Sequence, residues 1–275
     1  MAREPMRRIV VALDASEDSV AALEAAVRLA EVAGAEVVGV FVEDERVLGA
    51  ARSPFASEVD FFSGELRRLR SGELERQLQA DARRARSVLR RCAERHGVPW
   101  SFRTVRGRPD TELQGVAREA DVITVGVRGR SPGRGPGSTV RFLLKGPDVR
   151  VLVVRRGRRL HGAVHVLHDG SEAADRALDL ALGLERADRR GLVVLSLGDD
   201  REKLEERLET ATMPVRIQPL GPEGAGALRL EDRLQLELGA SRAGLLVAPR
   251  ATLEEHDADL RVLLQRTPCP LLVVG

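Results

Sequence analysis

Three places in the 275-residue chain combine residue types that could do chemistry. Asp14 closes the apolar run Arg8-Ile-Val-Val-Ala-Leu13 and precedes Ser16, Glu17, Asp18 and Ser19. Val42 closes a second run, Glu36 to Val42. Gly126-Val-Arg128-Gly129 follows a third, Val122 to Val125, and leads through a glycine- and proline-rich stretch to Gly137-Ser138-Thr139 at the start of a helix. Glycines let backbone amides approach phosphate oxygens, and Ser138 and Thr139 add hydroxyls beside the positive end of the helix. Arg128, Arg130 and Arg134 add charge. A nucleotide suits such a set. Glycine richness alone reads equally well as a surface loop. Position favours the first reading, because open α/β sheets bind ligands beyond the carboxyl ends of their strands, where strand order reverses.

The elements that must hold these residues follow from periodicity. Short, nearly continuous apolar runs predict strands covered on both faces, at 8–13, 36–42, 100–105, 122–125 and 149–154. Helical spacing predicts helices after Ser16, over about 65–96 with Gly97 as its stop, over 111–120, and briefly after Ser138. Residues 43–63 read as irregular. Strands alternating with helices mean a parallel sheet with right-handed crossovers. After the polar stretch 155–160 the pattern restarts. Asp14 falls on Asp169, Ser16 on Ser171, Leu23 on Leu178 and Ala26 on Ala181, a constant offset of 155. Leu143-Leu144 and Val151–Val154 likewise match Leu263-Leu264 and Leu271–Val274. The chain is an internal duplication. It reads as two tandem five-stranded parallel-sheet α/β domains, 1–157 and 158–275, the second shorter and degenerate.

Composition excludes several classes. Hydrophobic residues are 43% and charged residues 31%, a globular balance. The 44 basic and 42 acidic residues interleave, and aromatics are 3%, so neither a basic stripe nor stacking platforms favour nucleic acid. No apolar run has membrane-spanning length and the start lacks a signal-peptide layout, so a cytoplasmic protein with no membrane partner is expected. Cys92 and Cys269 form no CxxC pair and are expected to pack. His161, His165 and His168 straddle a linker and a strand, where alternation puts 165 and 168 on opposite faces, so core or surface histidines are expected rather than a metal cluster.

Gly126-x2-Gly129, Gly137-Ser138, Asp14 and the ending Thr267-Pro-Cys-Pro-Leu-Leu-Val-Val274 together resemble the universal stress protein family, over nearly the whole chain as a tandem pair. The resemblance implies a sheet of adenine nucleotide alpha hydrolase-like type. It also implies ATP as ligand, with or without Mg2+, or ADP or AMP instead. By the family motif the Asp14 carboxylate meets the ribose or adenine end and the backbone near Val42 reads adenine. Gly126, Arg128, Gly129, Gly137, Ser138 and Thr139 then hold ribose and phosphates. It further implies packing through the last strands, here as an intramolecular pseudo-dimer, with a homodimer as a further partner state. The departure from the family is the spacer, seven residues between Gly129 and Gly137 where the motif has nine. That is up to about 7 Å less reach. In the second copy, Pro249-Arg-Ala-Thr-Leu-Glu-Glu-His256-Asp replaces the glycine motif and puts acid where phosphates would lie. The expected function is nucleotide-responsive regulation in stress adaptation. The alternatives are a scaffold working through protein partners, or a slow ATPase; no residue stands out as catalytic.

Overall fold

The structure is a computed structural model in which residues 6–51, 57–59, 66–68, 71–129, 135–146, 149–188, 191–198, 201–208, 215–220 and 228–275 are described. In the first half, β1 (Arg8–Leu13) leads to α1 (Glu17–Ala33) and β2 (Glu36–Asp44). Then come α2 (Glu45–Ala51), β3 (Ser57–Val59), β4 (Leu66–Arg68) and α3 (Ser71–Arg95). The half ends with β5 (Trp100–Gly107), α4 (Pro109–Ala117), β6 (Val122–Gly126), α5 (Ser138–Leu143) and β7 (Val151–Val154). Ile9, Val10 and Val11 are fully buried, as a strand covered on both faces requires. Ser16 caps α1 by accepting the Ser19 amide at 3.1 Å, and Gly34 ends it in the left-handed region, φ +67°.

The second half repeats the plan with β8 (Val164–His168), α6 (Glu172–Asp188), β9 (Leu192–Ser196), α7 (Arg201–Leu208) and β10 (Val215–Pro219). It closes with α8 (Leu230–Ala240), β11 (Leu245–Pro249), α9 (Arg250–Glu255), α10 (Leu260–Arg266) and β12 (Leu271–Val274). The 25-residue α3 has only the 8-residue α7 as its counterpart, so this copy is the shorter one.

Ten strands form one sheet in the order β10-β9-β8-β11-β12-β7-β6-β1-β2-β5. Each half carries the same internal order, and every pairing within a half is parallel. The halves meet at β12 and β7, which pair antiparallel with Leu271 opposite Val153, Leu272 opposite Leu152 and Val273 opposite Val151. All six side chains are buried. One hydrophobic cluster on each face of the sheet runs through both halves, so the junction is core rather than a seam.

Three local expectations change. Residues 43–63 contain α2 and the strand β3, and β4 occupies the place read as the start of the long helix, which begins at Ser71. Ser57 pairs with Arg68 and Val59 with Leu66, in two strands of three residues each, too short to show a strand period in the sequence. The 155–160 stretch is no free linker. The Arg156 amide donates to Asp18, Arg155 donates to the Gln265 carbonyl, and Leu160 is buried.

Candidate functional site

Strand order reverses at β1, which has β2 on one side and β6 on the other. The carboxyl ends of these three strands open into a cleft of about 1070 Å³, at the upper end of the ~300–1,000 Å³ usual for small-molecule sites. Asp14, Val42, Gly126, Arg128, Gly129, Gly137, Ser138 and Thr139 all line it. The structure thus brings these eight expected site residues together. Arg130 and Arg134 lie outside the described residues.

Each wall has a local cause. β2 pairs with β1 only as far as Phe41 opposite Leu13, but continues against β5 from Val42 to Asp44. The β1-facing edge of this overhang has no strand partner, so its backbone groups are open to the cleft. Val40, Leu78, Pro109 and Leu113 give that side an apolar lining. β1 separates the β2 and β6 walls, about 10 Å apart at two strand spacings.

On the β6 side the glycine loop is tied at both ends. The Gly137 amide donates to the Val127 carbonyl at 2.9 Å, and the Val127 amide donates to the Val154 carbonyl at 2.9 Å. Asp18, buried in the first turn of α1, accepts the Arg128 amide at 3.0 Å and the Arg156 amide at 2.8 Å through its two oxygens. One carboxylate therefore fixes both the start of the loop and the exit of β7. Sequence reasoning missed this role, because an acid in a first helical turn reads as a complement to the helix dipole. Gly126 explains itself here: a Cβ would lie 2.7 Å from the Asp18 carbonyl carbon. Gly129 lies against Asp14, where a Cβ would stand 3.1 Å from Oδ2. Asp14 is itself braced, Oδ1 accepting the Ser16 amide at 3.0 Å.

Ser138 and Thr139 open a helix of six residues. So short a helix has little dipole, and the loop amides, the two hydroxyls and the cations must carry any anion binding. Arg128, Arg141 and Arg261 line the cleft and form no ion pair among the described residues, whereas Arg46 is held by Asp44 at 2.8 Å. Asp44 is drawn in opposite directions. Burial raises its carboxyl, but the Arg46 hydrogen bonds outweigh that and hold it below its ordinary value.

The second copy keeps the frame but not the glycine loop. Asp169 Oδ1 accepts the Ser171 amide at 2.9 Å, the counterpart of the Asp14–Ser16 turn. Where the glycine loop would follow β11, α9 packs inward, burying Thr252, Leu253 and the Arg250 side chain. Arg250 reaches back across the junction to the carbonyls of Gly146 and Val149. Glu254, Glu255 and Asp257 remain exposed beside it.

Of the other sequence candidates His161 is exposed, and the rest pack in or against the core. His165 is fully buried and hydrogen-bonds Ala163 O at 3.2 Å and Ser241 Oγ at 2.8 Å, while buried His168 meets Asp175 at 3.2 Å. Strand alternation puts these two histidines on opposite faces, and helices cover both faces. Cys269 is buried, which pushes its thiol up to about 12, and the half-buried Cys92 thiol is also raised, chiefly by desolvation. Among the described residues no group of three or more His, Cys, Asp or Glu could hold a metal ion, and no helix is long and apolar enough to cross a membrane.

The sequence model of the universal stress protein family matches residues 5–155. No curated protein matches the chain. Among solved structures, a universal stress protein from Archaeoglobus fulgidus DSM 4304 is similar over 98% of both chains, at 17% identity and a TM-score of 0.71. A functionally unknown protein from Pseudomonas aeruginosa PAO1 is similar over 98% of this chain and 92% of its own, at 13% identity and a TM-score of 0.57. Both likenesses extend across the two halves and concern the fold.

Proposed function

The chain belongs to the universal stress protein family, and from that premise we propose that its first domain, 1–157, binds an adenine nucleotide, ATP in the first instance, as a regulatory ligand in stress adaptation. The observation that carries this reading is the convergence of the Val42–Asp44 overhang, Asp14 and the tied glycine loop on one cleft at the point of strand reversal. Adenine would lie on the apolar side and pair with the open backbone edge of β2. The ribose would sit over β1, within reach of the Asp14 carboxylate. The phosphates would cross to Gly126, Arg128, Gly129, Gly137, Ser138 and Thr139. The ~10 Å between the walls suits a nucleoside lying across β1 with its phosphates at the loop. A Mg2+ ion would arrive on the phosphates and keep most of its waters, since it prefers one or two carboxylates plus phosphate oxygens to an all-protein cage.

The second domain, 158–275, takes no nucleotide in this reading, because α9, with Thr252 and Leu253 buried, follows β11 where the first copy has its glycine loop. Its β12 completes the sheet, so it stands where a second subunit would in a dimer built through last strands. The test is to denature the protein, chromatograph what is released, and titrate the stripped protein with ATP, ADP and AMP by calorimetry. One adenine nucleotide per chain supports the reading. No binding at millimolar nucleotide overturns it in favour of a scaffold that works through partners, and turnover well above background that is lost in Asp14→Ala would make the protein an ATPase.

A further inference from the structure

We infer that the site is completed by the second half of the chain, with Arg261 of α10 as a phosphate-sensing cation for a nucleoside di- or triphosphate; the inference rests on the nucleotide reading above. Arg261 lines the same cleft as Asp14 and Ser138 although it lies in the other copy. A line of close approaches connects them. Gly129 touches Asp14, a Cβ on Gly137 would stand 3.7 Å from the Gly129 nitrogen, and a Cβ on Gly135 would stand 3.9 Å from Arg261 Nη2 and 3.8 Å from Gln265 Nε2. Read outward from the ribose position, the order is Asp14, Gly129, Gly137, Gly135 and then Arg261. A chain of phosphates starting beside Asp14 and following the loop would meet the guanidinium at its far end. A monophosphate would stop short of it.

Arg261 is exposed and has no ion-pair partner among the described residues, while its helix neighbour Arg266 is held by Asp232 at 2.8 Å. The backbone that presents it is anchored. Asp259 caps α10 by accepting the Arg261 amide at 2.8 Å, and Arg155, directly after β7, donates to the Gln265 carbonyl. Its neighbour Arg156 is bound through its amide to Asp18, which also holds Arg128. The glycine loop and α10 thus hang from adjacent residues, and a bound polyphosphate would bridge the two copies. Arg261 would then give the degenerate copy a role in reading ATP against AMP.

The test is calorimetry of the full-length wild type, Arg261→Ala and Arg266→Ala with ATP, ADP and AMP. Arg261→Ala is expected to weaken ATP binding about tenfold or more, the worth of one charge-assisted hydrogen bond, and to leave AMP affinity within about twofold. Arg266→Ala should bind all three as the wild type does. Equal losses for ATP and AMP in Arg261→Ala, or no loss for either, would overturn the sensing role and leave nucleotide binding standing. A wild type that binds none of the three would overturn both.

Discussion

Asp18→Ala removes a side chain that holds the start of the glycine loop and the exit of β7 together. The buried carboxylate accepts two backbone amides, at 3.0 Å from Arg128 and 2.8 Å from Arg156. Hydrogen bonds to a charged group net ~1.5–3 kcal/mol each, so losing both costs about 3–5 kcal/mol. Asp18→Asn keeps one oxygen but turns an amide donor toward the other N–H, and should cost about 2 kcal/mol. The neighbouring Glu17 supplies an internal control, because it meets the side chain of the same Arg156 on the open surface, where both groups are about two-thirds exposed. Removing an exposed pair of that kind is worth about 0–1 kcal/mol. The assay is urea unfolding of the four proteins, followed by far-UV circular dichroism and by the fluorescence of Trp100, the single tryptophan. The midpoints should fall in the order wild type, Glu17→Ala, Asp18→Asn, Asp18→Ala, at constant slope. An Asp18→Ala protein within about 0.5 kcal/mol of the wild type would refute the pinning argument, since that is the range of an ordinary surface change.

Gly126→Ala should destabilise by more than about 2 kcal/mol in the same assay, because its Cβ meets Asp18 backbone that cannot rotate away. His165 should make stability pH-dependent. Burial lowers its pKa, helped by nearby Arg216 and opposed by the hydrogen bond to Ala163. The unfolded chain therefore takes up the proton first, and stability is full above the ordinary histidine value of 6.5 and declines as pH falls below it toward the folded pKa. His165→Gln should flatten that part of the melting-temperature profile, and an unchanged slope would show that another group sets it. Ala15 sits at φ +63°, where its counterpart Gly170 has φ +87°. Ala15→Gly should therefore be neutral or gain about 0.5 kcal/mol, and Gly170→Ala should lose about 1 kcal/mol, by thermal or urea unfolding.

Much of this protein is legible along the chain. The strands β1, β2, β6 and β12 announce themselves because a strand buried on both faces has little choice but continuous Val, Ile, Leu and Ala. The duplication shows in the offset that carries Asp14 onto Asp169 and Ser16 onto Ser171, and the same capped turn forms at both. The cleft-lining glycines and hydroxyls were identifiable because parallel α/β topology dictates where strand ends must open. These are local facts: a residue's own burial or turn geometry leaves its mark in sequence nearby.

Contacts between distant segments leave no such mark. Asp18 looks like any acid in a first helical turn until tertiary packing brings Arg128 and Arg156 to its two oxygens, from 110 and 138 residues away. Arg261 is one arginine among many in an arginine-rich chain. It becomes a cleft residue only because β12 pairs antiparallel with β7 and turns α10 toward the other copy's loop. In the second copy, the loss of the glycine motif could be read directly, but that α9 would bury Arg250, Thr252 and Leu253 after β11 depended on the sheet and helices around it. Periodicity records which face of an element is buried, whereas the packing of whole elements decides what that face, or the turn at its end, will meet.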